Sequence, residues 1–386
     1  DTRVEAWRDQ PVDVSIIHTW RQPTDTWAAY LPFSRATMIS LRASVFIRLQ
    51  GSARRFASEA PAFRIPLIDF SKFRAGSPSE KKAAANQIVS GFKESGFIYL
   101  RGHGISSAVI QNAFTQSAQF FRLPNEVKDT LAWEDPRSNR GYVKFGRERV
   151  TNSTDPAEIA ALRANAPDYK ETMEIGRDWD SAWKNQWPQR SDAPTFKPTM
   201  LDFFQKCHEL HTHVMRSIAV GLDMEEGWFD DKIQEQCHNL RLLSYPPVKR
   251  SLLETEGTAR AGAHTDYGTL TLLFQDAVGG LQAQNPHTGL FVPAAPIPDT
   301  IVINVGDLLA RWSNNTLRST LHRVVAPPAT VINAGEVITP ARQSIAFFCN
   351  PNFSAEIACL PNCGTPKFEP VNTEKYIVGR LAATYS

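Results

Sequence analysis

The triplet His264-Thr265-Asp266 places two metal-ligand side chains two residues apart. In an extended backbone, residues i and i+2 point to the same face, so the imidazole and the carboxylate are presented side by side. His322, at the start of a second β-type run, is the candidate for a third ligand from a neighbouring strand. Two histidines and one carboxylate suit Fe(II) and leave coordination positions open. The competing interpretation of His264 is a core or turn histidine, since so short a triplet also arises by chance.

A second pair, Arg342 and Ser344, stands at the head of the apolar run 345–348. The same i, i+2 geometry lets a guanidinium and a hydroxyl hold one carboxylate. The alternative is an ordinary arginine of an edge strand that faces solvent.

Three further histidines, His208, His211 and His213, also carry metal-ligand nitrogens. They lie on a predicted helix at offsets of three and five residues, which does not put all three on one face. We therefore favour a packed or solvated helix over a metal site.

The elements that must position these side chains change character along the chain. Up to about residue 230 the pattern is α/β, with strands predicted over 65–70 and 96–100 and helices over 79–95, 107–121 and 198–222. The polar stretch 135–195, rich in Pro, Asn and Trp, is predicted to be loop.

After residue 247, short apolar or β-branched runs alternate with Gly, Pro and Asn, which predicts an antiparallel sandwich or barrel. The predicted strands are 269–274, 280–284, 290–292, 300–304, 322–325 and 344–349, and a helix is predicted over 374–383.

Composition narrows the functional classes. With 42 Lys+Arg against 40 Asp+Glu, the formal net charge is only +2. The chain as a whole therefore has no strong positive electrostatic field that would attract nucleic acid or an anionic membrane. Charges interrupt every long apolar window, so no membrane span is predicted. Five cysteines spread over 386 residues favour free thiols in a reducing compartment.

The first 62 residues are interpreted as an N-terminal extension. Within it, Met38–Ser58 has four Arg, four Ser and no acid, the composition of a mitochondrial presequence. A basic surface extension on a cytoplasmic protein is the favoured interpretation, with a mitochondrial location as the alternative.

From Ile65 to Arg380 the chain resembles the 2-oxoglutarate- and Fe(II)-dependent oxygenases of the isopenicillin-N-synthase-like family. The blocks that carry the resemblance in the first half are Ile65-Pro66-Leu67-Ile68-Asp69, Gly96-Phe97-Ile98-Tyr99-Leu100-Arg101-Gly102-His103-Gly104, Phe120-Phe121-Arg122-Leu123-Pro124, Arg140-Gly141-Tyr142 and Asp168-Tyr169-Lys170-Glu171. Those of the second half are Arg241-Leu242-Leu243-Ser244-Tyr245-Pro246-Pro247, His264-Thr265-Asp266-Tyr267-Gly268, Asn304-Val305-Gly306-Asp307, Arg311-Trp312-Ser313-Asn314 and Ser319-Thr320-Leu321-His322-Arg323-Val324.

The resemblance implies an α+β fold with a mainly β core, a double-stranded β-helix or jelly roll supported by N-terminal helices and a C-terminal helix. The corresponding division is 1–62 as extension, 63–230 as a mostly helical N-terminal region and 231–386 as the catalytic region.

It also implies the cofactor Fe(II), the co-substrate 2-oxoglutarate, and O₂. Carried over position by position, it makes His264, Asp266 and His322 the iron ligands. Arg342 and Ser344 are expected to hold the distal carboxylate of 2-oxoglutarate, with Tyr245 donating its hydroxyl. Leu243 departs from the Asn that many plant members carry.

Because Asp266 is retained, hydroxylation, desaturation or oxidative cyclisation is expected rather than halogenation. The expected partner is a small-molecule metabolite, with no nucleic acid, no membrane and a monomeric chain. An iron oxidase that does not use 2-oxoglutarate is the alternative, and a non-catalytic jelly-roll module ranks last.

The substrate itself is not identified by the sequence. The residues expected to line its cavity are Tyr142, Lys144, Phe274, Trp312 and Phe347. Lys144 or Arg140 is a candidate partner for an acidic substrate, although a solvent-facing side chain is the simpler interpretation of each.

Overall fold

A computed structural model describes most of the chain after residue 62. The described residues are 63–133, 135, 138–145, 168–254, 259–327, 331–333 and 336–385. The predicted extension, including Met38–Ser58, lies outside them, as does the final residue. No helix of the described part is long and apolar enough to cross a membrane.

The four predicted helices are present within two residues of their predicted bounds, and the described residues contain five short helices that were not predicted. They are α1 (Ser71–Ala75), α2 (Pro78–Glu94), α3 (Ser107–Phe121), α4 (Asn125–Asp129), α5 (Phe196–Gly221), α6 (Asp230–Ile233), α7 (Arg250–Glu254), α8 (Asp307–Trp312) and α9 (Thr373–Tyr385). α2 begins where it does because Ser77 accepts the amide of Glu80 and Glu80 bonds back to Ser77, with Pro78 as the first helical residue.

Within the described residues, the strands form four sheets. They are β1 (Leu67–Asp69), β2 (Phe97–Arg101), β3 (Gly141–Val143), β4 (Glu171–Gly176), β5 (Asn239–Tyr245), β6 (Val248–Lys249), β7 (Ala261–His264), β8 (Leu270–Gln275), β9 (Leu281–Gln284), β10 (Phe291–Pro293), β11 (Thr300–Val305), β12 (His322–Val324), β13 (Val331–Asn333), β14 (Glu336–Thr339), β15 (Arg342–Cys349), β16 (Glu356–Ile357) and β17 (Val371–Asn372). All six strands predicted in the second half are present within two residues of their predicted bounds.

The largest sheet has eight strands in the order β1-β2-β11-β8-β15-β5-β4-β3, antiparallel except for the β1–β2 pair. The second has four antiparallel strands in the order β10-β9-β12-β7. The remaining sheets are small, β13-β14-β6 and β16-β17. Large antiparallel sheets flanked by helices bear out the predicted α+β class with a mainly β core.

Successive residues of β5 and β15 alternate between two hydrophobic clusters. Leu242 and Ile345 belong to the cluster that contains the buried side of α5, whereas Leu243 and Ala346 belong to one shared with β7, β9 and β12. Since side chains alternate across a strand, the eight-stranded sheet carries the helices on one face and the four-stranded sheet on the other.

The prediction that residues 135–195 are loop was wrong in part. β3 and β4 lie there and continue the large sheet next to β5. The strand pattern was hidden because β4 contains Glu171 and Glu174, whose carboxylates pair inside the protein with Lys128 and Arg241. All five cysteines are free thiols, as predicted.

Candidate functional site

His264 and His322 face each other across two paired strands. His264 ends β7, His322 begins β12, and the two are direct partners in the antiparallel register. Asp266 lies two residues beyond β7, and its Oδ1 is 3.8 Å from His264 Nε2 and 3.6 Å from His322 Nε2. β7 ends at His264, so Thr265 and Asp266 belong to the segment that follows the strand.

Backbone carbonyls fix the orientation of both imidazole rings. His264 Nδ1 lies 2.7 Å from Gly262 O, and His322 Nδ1 lies 3.1 Å from Thr320 O. A carbonyl only accepts, so each Nδ1 carries the hydrogen and each Nε2 keeps its lone pair. A hydrogen bond of this kind behind each ring is typical of histidines that ligate a metal.

Asp266 is fixed in the same manner through one of its two oxygens. Thr271 Oγ1 and Asn304 Nδ2 donate to Asp266 Oδ2 over 2.5 and 2.7 Å. Oδ1, the oxygen nearest the two imidazoles, is left to bind another group. The three donor atoms lie within 4.8 Å of one another, so the residues fit one divalent cation.

The protonation states suit a cation as well. Burial and the neighbouring His322 hold the pKa of His264 far below its ordinary value, so this imidazole is neutral at pH 7. Burial raises the pKa of Asp266, but the two histidines and the donors Asn304 and Thr271 outweigh it and leave that pKa below its ordinary value. An ionised carboxylate and a neutral imidazole are the forms in which Asp266 and His264 can bind a metal ion.

The loop that carries Asp266 is held against the start of α8. Asp307 N donates to Asp266 O over 2.7 Å, and Thr265 Oγ1 donates to Asp307 Oδ2 over 3.2 Å. A side chain on Gly306 would collide with the backbone of Gly268, so the two segments approach as closely as glycine allows. Tyr376 and Arg380 of α9 also contact Asp307, which joins the C-terminal helix to this loop.

The second predicted pair lies on β15, and its residues also share a face. Arg342 Nη1 donates to Ser344 Oγ over 3.1 Å, and Arg342 Nη2 donates to Gln275 Oε1 over 3.2 Å. Tyr245 is the direct strand partner of Arg342, and the guanidinium carbon lies 4.8 Å from the centre of its ring. Arg342 Nε is buried without a partner among the described residues. Arg342 is fully buried, so the simpler interpretation as a solvent-facing arginine is wrong. A buried guanidinium needs an anion as its partner.

A cavity next to the triad is lined by His264 and Asp266 on one side and by residues of distant segments on the other. Its polar lining includes Asn139, Arg140 and Asn239, each of which is at least nine-tenths buried. In the part of the chain that the structure describes, Asn139 Oδ1, Arg140 Nε and Asn239 Oδ1 have no hydrogen-bond partner. Three residues that line the cavity therefore carry two unpaired acceptors and one unpaired donor.

Glu174 sets the orientation of the Asn239 amide. Asn239 Nδ2 donates to Glu174 Oε2 over 2.6 Å, while Thr172 and Arg241 hold the other carboxylate oxygen. With its NH₂ group bound on one side, Asn239 presents its oxygen on the other.

None of the five residues expected to line the substrate cavity lines the cavity beside the triad. Phe274, Trp312 and Phe347 belong to the hydrophobic core around α5, because they project from the helix-bearing side. Tyr142 and Lys144 line a separate small pocket beside α4. Arg140 does line the cavity, so its simpler interpretation as a solvent-facing arginine was wrong. Asn139 and Asn239 were missed, since an isolated asparagine carries no motif.

A second group of histidines comes together from α5 and the start of β5. His208 Nδ1 lies 3.1 Å from His238 Nε2, and His211 packs against the His238 ring. His238 Nδ1 accepts the backbone amide of Asn350, so the hydrogen of this neutral ring is on Nε2 and points at His208. Unlike His264 and His322, His238 has no free lone pair in this arrangement, which favours packing over a metal site for this group.

Comparison with known protein families agrees with this arrangement. Residues 65–190 match a family model described as the N-terminal part of non-haem dioxygenases in morphine synthesis. Residues 231–351 match a model described as the 2OG-Fe(II) oxygenase superfamily.

Similar proteins come from fungi. The 2-oxoglutarate-Fe(II) type oxidoreductase ppzD of Metarhizium majus is 34% identical over 84% of this chain and 96% of its own. The proline hydroxylase buaE of Petromyces alliaceus is 32% identical over 82% of this chain and 98% of its own. A full-length Neurospora crassa protein, crystallised in complex with alpha-KG and thymine, is 48% identical with a TM-score of 0.76, and the match covers 83% of this chain and 97% of that one.

Proposed function

Because the chain belongs to the 2-oxoglutarate- and Fe(II)-dependent oxygenases, we propose that His264, Asp266 and His322 are its iron ligands. The enzyme is an oxidoreductase that uses Fe(II), 2-oxoglutarate and O₂. The strongest support for the ligand set is that Nε2 of His264 and Nε2 of His322 lie 3.8 and 3.6 Å from Asp266 Oδ1. A backbone carbonyl behind each ring leaves the lone pair on each Nε2. When bound, iron and 2-oxoglutarate supply the O₂ activation that oxidises a substrate C–H bond while 2-oxoglutarate is converted to succinate and CO₂.

We propose that Arg342, Ser344 and Tyr245 bind the distal carboxylate of 2-oxoglutarate. Two observations support this assignment. Arg342 Nε is buried and has no hydrogen-bond partner among the described residues, and Arg342 and Ser344 lie on the same face of β15. Leu243 stands opposite Ser344 in the strand register, so it contributes apolar contact where many plant relatives have an amide.

For the fold, we propose that the eight-stranded and four-stranded sheets form the two layers of a double-stranded β-helix. The apolar cluster shared by Leu243, Ala283, Val324 and Ala346 supports it, since these residues come from both sheets. Within this fold, residues 63–230 supply the supporting helices and edge strands and residues 231–386 the catalytic region. We also propose a cytoplasmic monomer.

We propose further that the substrate is a pyrimidine base of the thymine type and that the reaction is hydroxylation. Thymine offers two N–H donors and two carbonyl acceptors, which match in type the unpaired Asn139 Oδ1, Asn239 Oδ1 and Arg140 Nε of three residues that line the described cavity. Its methyl carbon is its single saturated carbon and therefore the C–H donor. The thymine complex of the similar Neurospora crassa protein supports the same class.

The first experiment measures co-substrate use. Anaerobic addition of Fe(II) and 2-oxoglutarate should produce the visible charge-transfer band of a chelated keto acid, and O₂ should then release succinate. Iron binding with no such band and no succinate would instead favour an iron oxidase that does not use 2-oxoglutarate. A chain that binds no iron would favour a non-catalytic module.

The second experiment tests the substrate class. Thymine, uracil and L-proline are each supplied with 2-oxoglutarate, and mass spectrometry follows the gain of one oxygen atom. Thymine should be the substrate converted; conversion of proline alone would overturn the assignment. Asn239→Ala should raise the KM for thymine at least about tenfold, because it removes an acceptor from a buried site. Asn112→Ala, which removes an exposed amide of α3, is the matched control.

A further inference from the structure

Arg260 is a second fully buried arginine close to the proposed 2-oxoglutarate residues. It directly precedes β7, the strand that ends at His264, and its backbone amide donates to Val324 O over 2.9 Å. None of its surface is exposed. Its Nη2 donates to Thr339 Oγ1 over 3.0 Å and to Pro340 O over 2.7 Å. These two residues lie shortly before β15, which begins at Arg342.

The other side of this guanidinium is unsatisfied. Arg260 Nε and Nη1 are buried and have no hydrogen-bond partner among the described residues. In the same part of the chain Arg260 makes no ion pair with a carboxylate. A buried cation without a counter-charge is strongly unfavourable, so these N–H groups indicate a site for an anion.

Arg260 and Arg342 lie beside the same aromatic ring. Their guanidinium carbons are 5.8 and 4.8 Å from the centre of the Tyr245 ring. Burial and the positive charge of Arg342 lower the pKa of Arg260 to about 10, which still leaves it charged at pH 7. The two buried positive charges beside Tyr245 repel each other, and a bound anion reduces this repulsion.

We infer that Arg260 is a second binding residue for the distal carboxylate of 2-oxoglutarate, which accepts hydrogen bonds from its unpaired Nε–H and Nη1–H groups. This inference rests on the proposed 2-oxoglutarate site. It makes the pocket select keto acids with an anionic tail, because only a carboxylate relieves the repulsion between the two guanidinium groups.

The alternative is that Arg260 has only a structural role, in which its hydrogen bonds to Pro246 O, Thr339 Oγ1 and Pro340 O hold these segments in place. Arg260→Met separates the two roles, since it keeps the apolar stem and removes the charge. The ligands compared are 2-oxoglutarate and 2-oxopentanoate, which has a methyl group in place of the distal carboxylate. Their dissociation constants are measured on the anaerobic Fe(II) protein by calorimetry and by the visible band.

The dissociation constant of 2-oxoglutarate should rise at least about tenfold in Arg260→Met, while that of 2-oxopentanoate stays within twofold. An equal loss for both ligands, or no loss for either, overturns the inference. Arg260→Lys keeps the charge and should weaken 2-oxoglutarate by less than Arg260→Met does, again without affecting 2-oxopentanoate. If Arg260→Met does not fold, the same comparison of ligands in Arg260→Lys decides, because a structural role weakens both equally. Failure of the wild-type protein to bind 2-oxoglutarate would instead refute the proposed co-substrate site.

Discussion

The hydrogen bond from Thr271 to Asp266 Oδ2 allows a sharp test of how the proposed metal site is built. Thr271→Val removes the hydroxyl and leaves Asn304 as the one remaining side-chain donor to that oxygen among the described residues. The carboxylate then rotates more freely, so that Oδ1 is less often directed at the two imidazoles. The triad residues themselves are unchanged, which isolates the effect of orientation.

The expected magnitude follows from the charge on the acceptor. A hydrogen bond to a charged group contributes about 1.5–3 kcal/mol, which corresponds to about a 10- to 150-fold change in an equilibrium constant. Loss of a partner behind a metal ligand has a similar typical effect, about 10- to 100-fold in metal affinity. We therefore expect Thr271→Val to bind Fe(II) at least about tenfold more weakly than the wild type.

The assay is an anaerobic competition between the protein and a chelator, followed for Fe(II) and, by its visible bands, for Co(II). The control is Ser217→Ala, which removes a buried hydroxyl that donates within α5 to Val214 O. Both variants lose one buried hydrogen bond and some thermal stability, but only Thr271→Val should lose metal affinity. A metal affinity of Thr271→Val within twofold of wild type, or an equal loss in Ser217→Ala, refutes the reasoning.

Three further predictions concern the triad, the co-substrate and acid stability. Asp266→Ala should keep the wild-type circular dichroism spectrum and lose turnover, and retained activity would show that the proposed ligand set is wrong. Arg342→Ala should raise the dissociation constant of 2-oxoglutarate about 30-fold or more, because it breaks a buried charge pair; calorimetry measures it, and an unchanged constant would place the carboxylate elsewhere. Burial holds the pKa of His211 and His238 well below the ordinary 6.5, so the unfolded chain binds protons there that the folded chain does not. The Tm should therefore fall as the pH is lowered from 7 to 5, and a flat profile would contradict this account.

The signal of the proposed metal ligands is partly local. His264 and Asp266 are two residues apart, and His322 opens a recognisable strand, but so short a triplet also arises by chance. The ordered blocks that resemble the oxygenase family were needed to select these three residues. Arg342 and Ser344 are likewise two residues apart. The register that makes His264 and His322 direct partners was not predictable, since it depends on strands 58 residues apart.

The polar lining of the cavity was not predictable for a related reason. Arg140 precedes β3 in a stretch that looks like loop, and the position of β3 in the sheet depends on its pairing with β4. β4 in turn is stable because Glu174 is bound by Arg241 and Asn239 of β5. These contacts are non-local, so neither apolar periodicity nor turn residues reveal them in advance.

The order of strands in the large sheet has a consequence for how the protein is made. β1 and β2 flank one edge and β3 and β4 the other, while the strands between them, β5, β8, β11 and β15, come later in the chain. On the ribosome, β2 and β4 therefore emerge before their inner partners β11 and β5 exist, and β2 waits about 200 residues for β11. Synthesis at about 5–20 residues per second makes that interval tens of seconds. During it, the apolar strand Phe97–Arg101 is exposed, and chaperone binding to nascent chains should be concentrated there.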